Sequence, residues 1–454
     1  MRSCKMQRLK RLLKNKRTNK DHEVPTQMPS TTPPASTGSK TVCLSRLEGL
    51  PFEIRNSILL AVDAIADLSA LVHASPTFHQ QYRLDRAFWL WHCLHLELGQ
   101  IYADAYMAEQ CNMPEFRLRR NREKILLSIE DYKSHRFEVT DIATKPPDEH
   151  EILSMAIFYS SVIRPLMKHY VAWARSNLEG LTSPNEISKT EERRITRGLY
   201  RFQIFCNLFG PPKGYDSYST DRILGEEERL RFFLDQYTAW EVEEILCINT
   251  FIHAKYRIVF EQVQWDLHPD NPSFDRVRTG PHTPPGAFRL LFEDSPSESH
   301  INGIISRGLS VLSTALKTQN HSKLVELVSS EIVLVVVDIL FANTNPFHQE
   351  TRRENHHSDR DQAQDDREKM VFSGDSDDSP PLAWVIFWKE AYSNLFGDFI
   401  PRPLRQWGYV MWDSDRLANA DAVAILNQAW KAMYTRPNHD EEPEDPRDEM
   451  LAYH

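Results

Sequence analysis

Few residues in this 454-residue sequence have the types and spacing that chemistry needs. His92 and His95 flank Cys93; three positions apart on a helix, the two imidazoles would share one face, as zinc ligands do. No second ligand pair accompanies them, so they read as buried or part-buried histidines, and His356-His357 offers only a weak metal pair. Glu241, Glu243 and Glu244 follow Trp240. A carboxylate against an aromatic can have a raised pKa and serve as an acid or base, but three acids on one helix more simply make a solvated face. Arg117, Arg119, Arg120 and Arg122 form a basic cluster with Phe116 as its one aromatic. RNA recognition needs bases stacked on several aromatics, so the cluster reads as a helix face paired with acids. Trp407, Trp412 and Trp430 could anchor a partner, and core is the simpler reading. Ser373, Ser376 and Ser379 lie among Asp375, Asp377 and Asp378, a context suited to acid-directed phosphorylation. Gly-rich phosphate loops, G-x-S-x-G elbows and H-E-x-x-H pairs are all missing. No catalytic residue, metal or cofactor is expected.

Charge and composition narrow the partners. Residues 1–20 hold nine Lys/Arg and no acid, so the remaining 434 carry 45 basic against 64 acidic side chains. That acidic remainder repels phosphate backbones, which argues against nucleic-acid binding. The longest apolar run, Ile332 to Ala342, is half a membrane span and contains Asp338. It is expected to be a core helix or strand, and no membrane association is expected. No apolar secretory segment precedes residue 30. The six cysteines include no C-x-x-C pair and read as reduced thiols of a cytosolic or nuclear protein. Lys10 to Arg17 could act as a nuclear import signal or a plain basic tail. Met6, Leu9 and Leu13 on one helical face also fit a mitochondrial presequence.

The elements that must position these residues are helical. Gly is scarce (15) against 41% hydrophobic residues and 10 Trp, and apolar residues recur at steps of three and four. The fold class is therefore mostly α. Residues 1–43 are expected to be disordered, 44–99 a small helical module, and 100–346 a helical body. Within that body, helices are expected over 151–176 with an interruption near Pro165, from 191 to a stop at Gly210, over 230–260, and over 301–316. Residues 266–297 should be loop. Residues 347–380, with ten acids and five bases, read as a disordered acidic insertion. Order should return at Pro380-Pro381 for a C-terminal helical part (381–436), followed by a loose acidic tail (437–454). No internal repeat is present.

The module can be read position by position. Leu50-Pro51 opens a first helix with Ile54, Ile58, Leu59 and Val62 on one face. Asp67 can cap a second helix bearing Leu68, Leu71 and Val72. Ser75-Pro76 launches a third through Phe78 and Tyr82. A fourth runs from about Asp85 to Leu98 and ends at Gly99. Some fifty residues in short helices leave apolar surface uncovered, which suits them to a partner helix.

Leu50-Pro51, Glu53-Ile54, Ile58-Leu59, Asp67-Leu68, Leu71, Ser75 and Phe78 together resemble the F-box. The stretches Leu71 to Pro76, Leu199 to Gln203, Ala239 to Ile245 and Trp407 to Asp413 are similar to fungal F-box-like proteins, a family whose C-terminal body has no defined function. The resemblance implies a substrate-recruiting subunit of a cullin-RING ubiquitin ligase. Its partners would be an SKP-type adaptor and a protein substrate, with Leu50, Pro51, Ile54, Ile58, Leu59 and Leu68 at the adaptor contact. His73 to Pro76 departs from the more basic stretch common before the aromatic. Two alternatives stay open: a helical scaffold in which the F-box pattern is only core, and an enzyme of unrecognised helical fold. An adaptor-binding module predicts an exposed patch at Leu50, Ile54 and Ile58. The scaffold predicts those side chains covered, and the enzyme predicts a concave pocket of convergent polar groups.

Overall fold

The computed structural model describes residues 46–137, 147–178, 186–211, 223–280, 283–289, 297–418, 421–435 and 444–451. The expectations for residues 1–43, including Lys10 to Arg17, lie outside the described residues. Among the described residues the fold is mostly α, with no strand and one isolated antiparallel bridge between Lys369 and Ala391.

Local capping and proline set many of the helix starts. α1 (Phe52–Leu60) starts after Pro51 and α2 (Ile65–Ala74) after Ala64. Asp67 therefore does not cap α2; it sits in its first turn, where its charge suits the helix dipole. α3 (Pro76–Leu84) and α4 (Arg86–Leu98) are capped by Ser75 and Asp85, whose side chains accept from the N–H groups of Phe78 and Phe88. Gly99, at φ +53°, ends α4 in a conformation that a β-carbon would strain. α5 (Tyr102–Asn112), α6 (Pro114–Leu118) and α7 (Arg122–Phe137) follow.

The helix expected over 151–176 is α8 (Glu149–Phe158) and α9 (Arg164–Ser176), joined by a π-helical turn at Tyr159–Ile163. Pro165 has no N–H for the carbonyl of Ser161, which accepts instead from Ser313 Oγ at 3.2 Å and from Lys317 Nζ. α10 (Lys189–Phe209) opens on reciprocal bonds between Ser188 and Glu191 and stops at Gly210. The single helix expected over 230–260 is two, α11 (Glu226–Phe232) and α12 (Ala239–Val263). Glu241 accepts from the Thr238 N–H at 3.0 Å and fixes a new helix start there.

α13 (Ser297–Ile305), α14 (Leu309–Lys317) and α15 (His321–Glu331) come next, the expected 301–316 helix being split at Gly308. The apolar run from Ile332 is neither helix nor strand. Val333, Leu334 and Val335 are buried in irregular chain, and a short 3-10 turn follows at Phe341–Thr344. The run lies directly against α13: a β-carbon on Gly303 would overlap the Val333 carbonyl, and the Val335 N–H donates to the Ser299 carbonyl.

The acidic segment 347–380 is not a disordered insertion. It contains α16 (Pro346–Asn355) and α17 (Asp359–Asp365), because Arg352, Arg353 and Asp361 turn inward and are buried with partners. Arg352 grips Asp361 through two hydrogen bonds of 2.5 and 3.0 Å, and Arg353 pairs with Asp365. Buried Gln349 donates to the Phe396 carbonyl, and buried Gln364 accepts from the Asn394 N–H. Net composition cannot reveal such pairing.

α18 (Leu382–Phe387) starts after Pro381, as expected, and α19 (Arg402–Gln406), α20 (Ser414–Ala418) and α21 (Ala422–Tyr434) complete the C-terminal part. The acidic tail is not wholly loose: α22 (Pro446–Leu451) has Met450 buried, and buried Arg447 donates to the Tyr392 carbonyl. The described residues from Leu50 onward form one compact unit, in which α10 packs along both α12 and α5, and α4 packs on α8.

Candidate functional site

Helices α1–α4 are tied by side chains that reach neighbouring backbone. Gln81, buried on α3, donates to the Phe52 carbonyl and accepts from Arg55 Nε at 3.1 Å, while Arg55 also donates to the Leu50 carbonyl. On α4, His92 Nε2 lies 3.0 Å from the Leu60 carbonyl and Cys93 Sγ lies 3.3 Å from that of Val62. Those contacts occupy the groups that a metal would need, and among the described residues no three His, Cys, Asp or Glu converge for one. Burial pushes the Cys93 thiol up to about 12. Glu97 accepts from the Ile65 N–H at 2.8 Å and from Tyr159 Oη at 3.0 Å, so it links α2 and α4 to the π-helical turn after α8.

The expected adaptor set divides in two. Ile54 is 48% exposed, Pro51 is exposed, and Leu50 and Ile58 are half-buried. Leu59 and Leu68, at 0% and 2% exposure, are core. They belong to the inward face that closes α1 and α2 onto α4, so their assignment to the contact is corrected. Four residues of these helices outside the expected set join Ile54 among the exposed apolar side chains: Phe52 (49%), Leu60 (40%), Leu84 (77%) and Leu96 (40%). Phe52 and Leu84 line an open groove of about 500 Å³ between α1 and α3, with Arg55, Gln80 and Arg83 among its polar lining. Phe52 follows the Leu-Pro opening and Leu84 precedes the Asp85 cap, both off the inward stripes. Apolar residues displaced from a stripe are the signal that would have singled them out.

The three glutamates of α12 are not a solvated face. Glu241, Glu243 and Glu244 are 7%, 0% and 0% exposed. Arg405 holds Glu243 through contacts of 2.8 and 2.9 Å, and the Gly397 N–H donates to the same carboxylate. Arg197 holds Glu244 at 2.6 and 2.8 Å. Glu241 meets Arg201 at 3.0 Å, Arg197 at 3.3 Å and Arg136 at 3.7 Å. Burial alone would raise the Glu241 carboxyl, but those guanidiniums outweigh it and hold the group below the usual carboxylate range. Arg201 also binds Asp104, and Arg416 binds Glu191. A helix buried on nearly every side, as α10 is, cannot leave its arginines unpaired. With each carboxylate matched to a guanidinium, the cluster ties α12 to α10 and to the C-terminal part.

The remaining candidates settle similarly. Trp407, Trp412 and Trp430 are core, with Trp412 Nε1 donating to the Trp407 carbonyl. Arg120 donates to the Asn207 and Gly210 carbonyls at the end of α10, and Arg122 pairs with Glu228. His357 lies 3.7 Å from Asp365, and His356 contacts Arg231. No helix among the described residues is long and apolar enough to cross a membrane. Compared with protein-family models, with curated proteins and with solved structures, the chain matches none.

Proposed function

We propose that the chain is an F-box-like adaptor protein, the substrate-recruiting subunit of an SKP-cullin-RING ubiquitin ligase acting in the cytoplasm or nucleus. α1 and α3 dock the SKP-type adaptor, and the helices beyond α4 recruit a protein substrate. One observation carries this reading: Phe52, Ile54 and Leu84 are exposed on helices whose own core is already closed by Leu59, Leu68 and Phe78. A few apolar anchors around a groove are what a partner helix needs. Leu50, Pro51 and Ile58 border the contact, and Leu59 and Leu68 support it from beneath.

The test is capture of purified SKP-type adaptor by the full chain, beside Phe52→Asp and Ile54→Asp. Both variants change exposed side chains and should keep the native circular dichroism. Capture by the native chain and at least tenfold weaker capture by the variants is the expected result. No capture by the native chain overturns the reading. The scaffold alternative draws on the burial of Leu59 and Leu68 and on the packing of α4 against α8. It predicts no capture by any of the three proteins.

A further inference from the structure

Residues 373–379, Ser-Gly-Asp-Ser-Asp-Asp-Ser, form a strap between the helical pair α16–α17 and α18. None of its side chains is buried, so no apolar contact anchors it. It closes on itself through Ser373 Oγ to Ser379 Oγ at 3.0 Å and the Ser379 N–H to Ser376 Oγ at 3.2 Å. Its outward bonds run to α10 and to Ser414. Asp377 meets Arg193 at 2.9 Å, and the Asp377 carbonyl accepts from Arg197 at 3.1 Å. Asp375 lies 3.5 Å from Arg194, which it shares with Asp413, and accepts from the Ser414 N–H and hydroxyl.

Arg193 and Arg197 are one turn apart on α10, and Arg201 is a turn further. All three line a cleft of about 620 Å³ together with Arg136, with Asp104 and Glu241, which already pair with Arg201, and with Asp377 and Asp378 of the strap. Arg193 is half-exposed there, and Asp377 Oδ1 is buried with no hydrogen-bond partner, so the strap fits the arginine ladder imperfectly. An acidic segment held by ion pairs and hydrogen bonds, with no apolar anchor, beside an open cleft has the form of an occupant that another acidic segment can replace.

We propose that the arginine ladder of α10 is a docking site for a phosphorylated acidic peptide of a partner protein, and that the strap is its internal stand-in. The strap is tethered at both ends, which gives it an effective concentration in the millimolar range. An aspartate-only competitor therefore gains little. A phosphoserine brings a charge of about −1.5 to −2 and three acceptor oxygens, and it can bridge the half-exposed Arg193 and the Arg197 Nη1 that now serves the Asp377 carbonyl, while Arg197 Nε and Nη2 stay on Glu244. The inference rests on the helices beyond α4 being the recruiting part. Its readout is peptide binding, which is indifferent to whether the adaptor is captured.

Fluorescence anisotropy tests it. A labelled peptide copying residues 371–381, with phosphate on Ser376, is titrated with the full chain and with an Asp375→Asn/Asp377→Asn/Asp378→Asn variant. We expect the variant to bind at least tenfold more tightly than the native chain, and Arg193→Gln in the variant background to cost at least tenfold. If the triple variant does not fold, Asp377→Asn/Asp378→Asn takes its place, leaving Asp375 on Ser414. Equal affinity for native chain and variant, no binding by either at millimolar peptide, or equal binding of a scrambled phosphopeptide with no effect of Arg193→Gln overturns the proposal.

Discussion

Two regions of this molecule solve the same packing problem by opposite means. Helices α1–α4 bury Leu59, Leu68, Phe78, Trp89 and Leu94 and are joined by polar groups that mostly reach backbone, such as Gln81, Ser75 and Glu97. The interface of α10 and α12 instead buries charges: Arg197 on Glu244, Arg201 on Asp104 and Glu241, and, from the C-terminal part, Arg405 on Glu243. Apolar burial is nondirectional, so the first region can tolerate volume-conserving change and still leave a face free. A buried ion pair stabilises only when matched, and a lone survivor is expensive. The difference separates a module free to present a surface from a body whose arrangement is fixed by pairing.

The largest effect should come from breaking one pair. Glu243→Leu strands Arg405 and the Gly397 N–H, and should cost about 3–5 kcal/mol in denaturant unfolding. Glu243→Leu with Arg405→Met should recover most of that loss. A double variant as unstable as the single would show that the pair does more than cancel its own charge. Leu59→Ala, in the apolar region, should cost about 3 kcal/mol with no second substitution able to restore it by charge.

Acidification should separate the two chemistries further. Burial tends to raise the Asp361 carboxyl, but Arg352 and Ser358 outweigh it and hold the group down to about 2. Its ionised form therefore favours the folded state above about pH 4, and that contribution, on the order of 2 kcal/mol, disappears as the pH falls from 4 to 2. Asp361→Asn should flatten the Tm profile over that range. Glu97, in the apolar region, is shifted the other way: burial raises its carboxyl. Its protonation on acidification favours the folded state, so Glu97→Gln should steepen the acid loss. Smaller still, Ser75→Ala should cost about 1 kcal/mol through the lost cap on α3. Ile54→Ala should stay within about 0.5 kcal/mol of native stability, since its side chain is already half in water.

What could be read from the sequence follows the same division. Positions governed by local chemistry were legible: Ser75 before Pro76, Gly99 after Leu98, the stop at Gly210 and the interruption near Pro165. Apolar periodicity placed Leu59 and Leu68 correctly on a stripe, but a stripe does not say whether it faces the chain or a partner, and both face the chain. The α12 glutamates and the 347–380 segment were misread for one reason. In both, the fold and not the composition sets the pairing: Glu243 takes Arg405 from 162 positions away, and Asp361 takes Arg352 of its own segment from the neighbouring helix. The missed exposed residues, Phe52 and Leu84, carried only the weak sign of lying off their helix stripes.

The Glu243–Arg405 contact spans 162 positions and the Glu191–Arg416 contact 225. At ordinary elongation rates, on the order of ten to thirty seconds separate the synthesis of Glu243 from that of Arg405. Throughout that interval α12 cannot bury Glu243 with its partner, so the α10–α12 pair must stay open or hydrated while α1–α4, whose main partners reach no further than α8 and the turn after it, are free to close. A nascent chain of this protein would thus present a finished N-terminal module on an unfinished body.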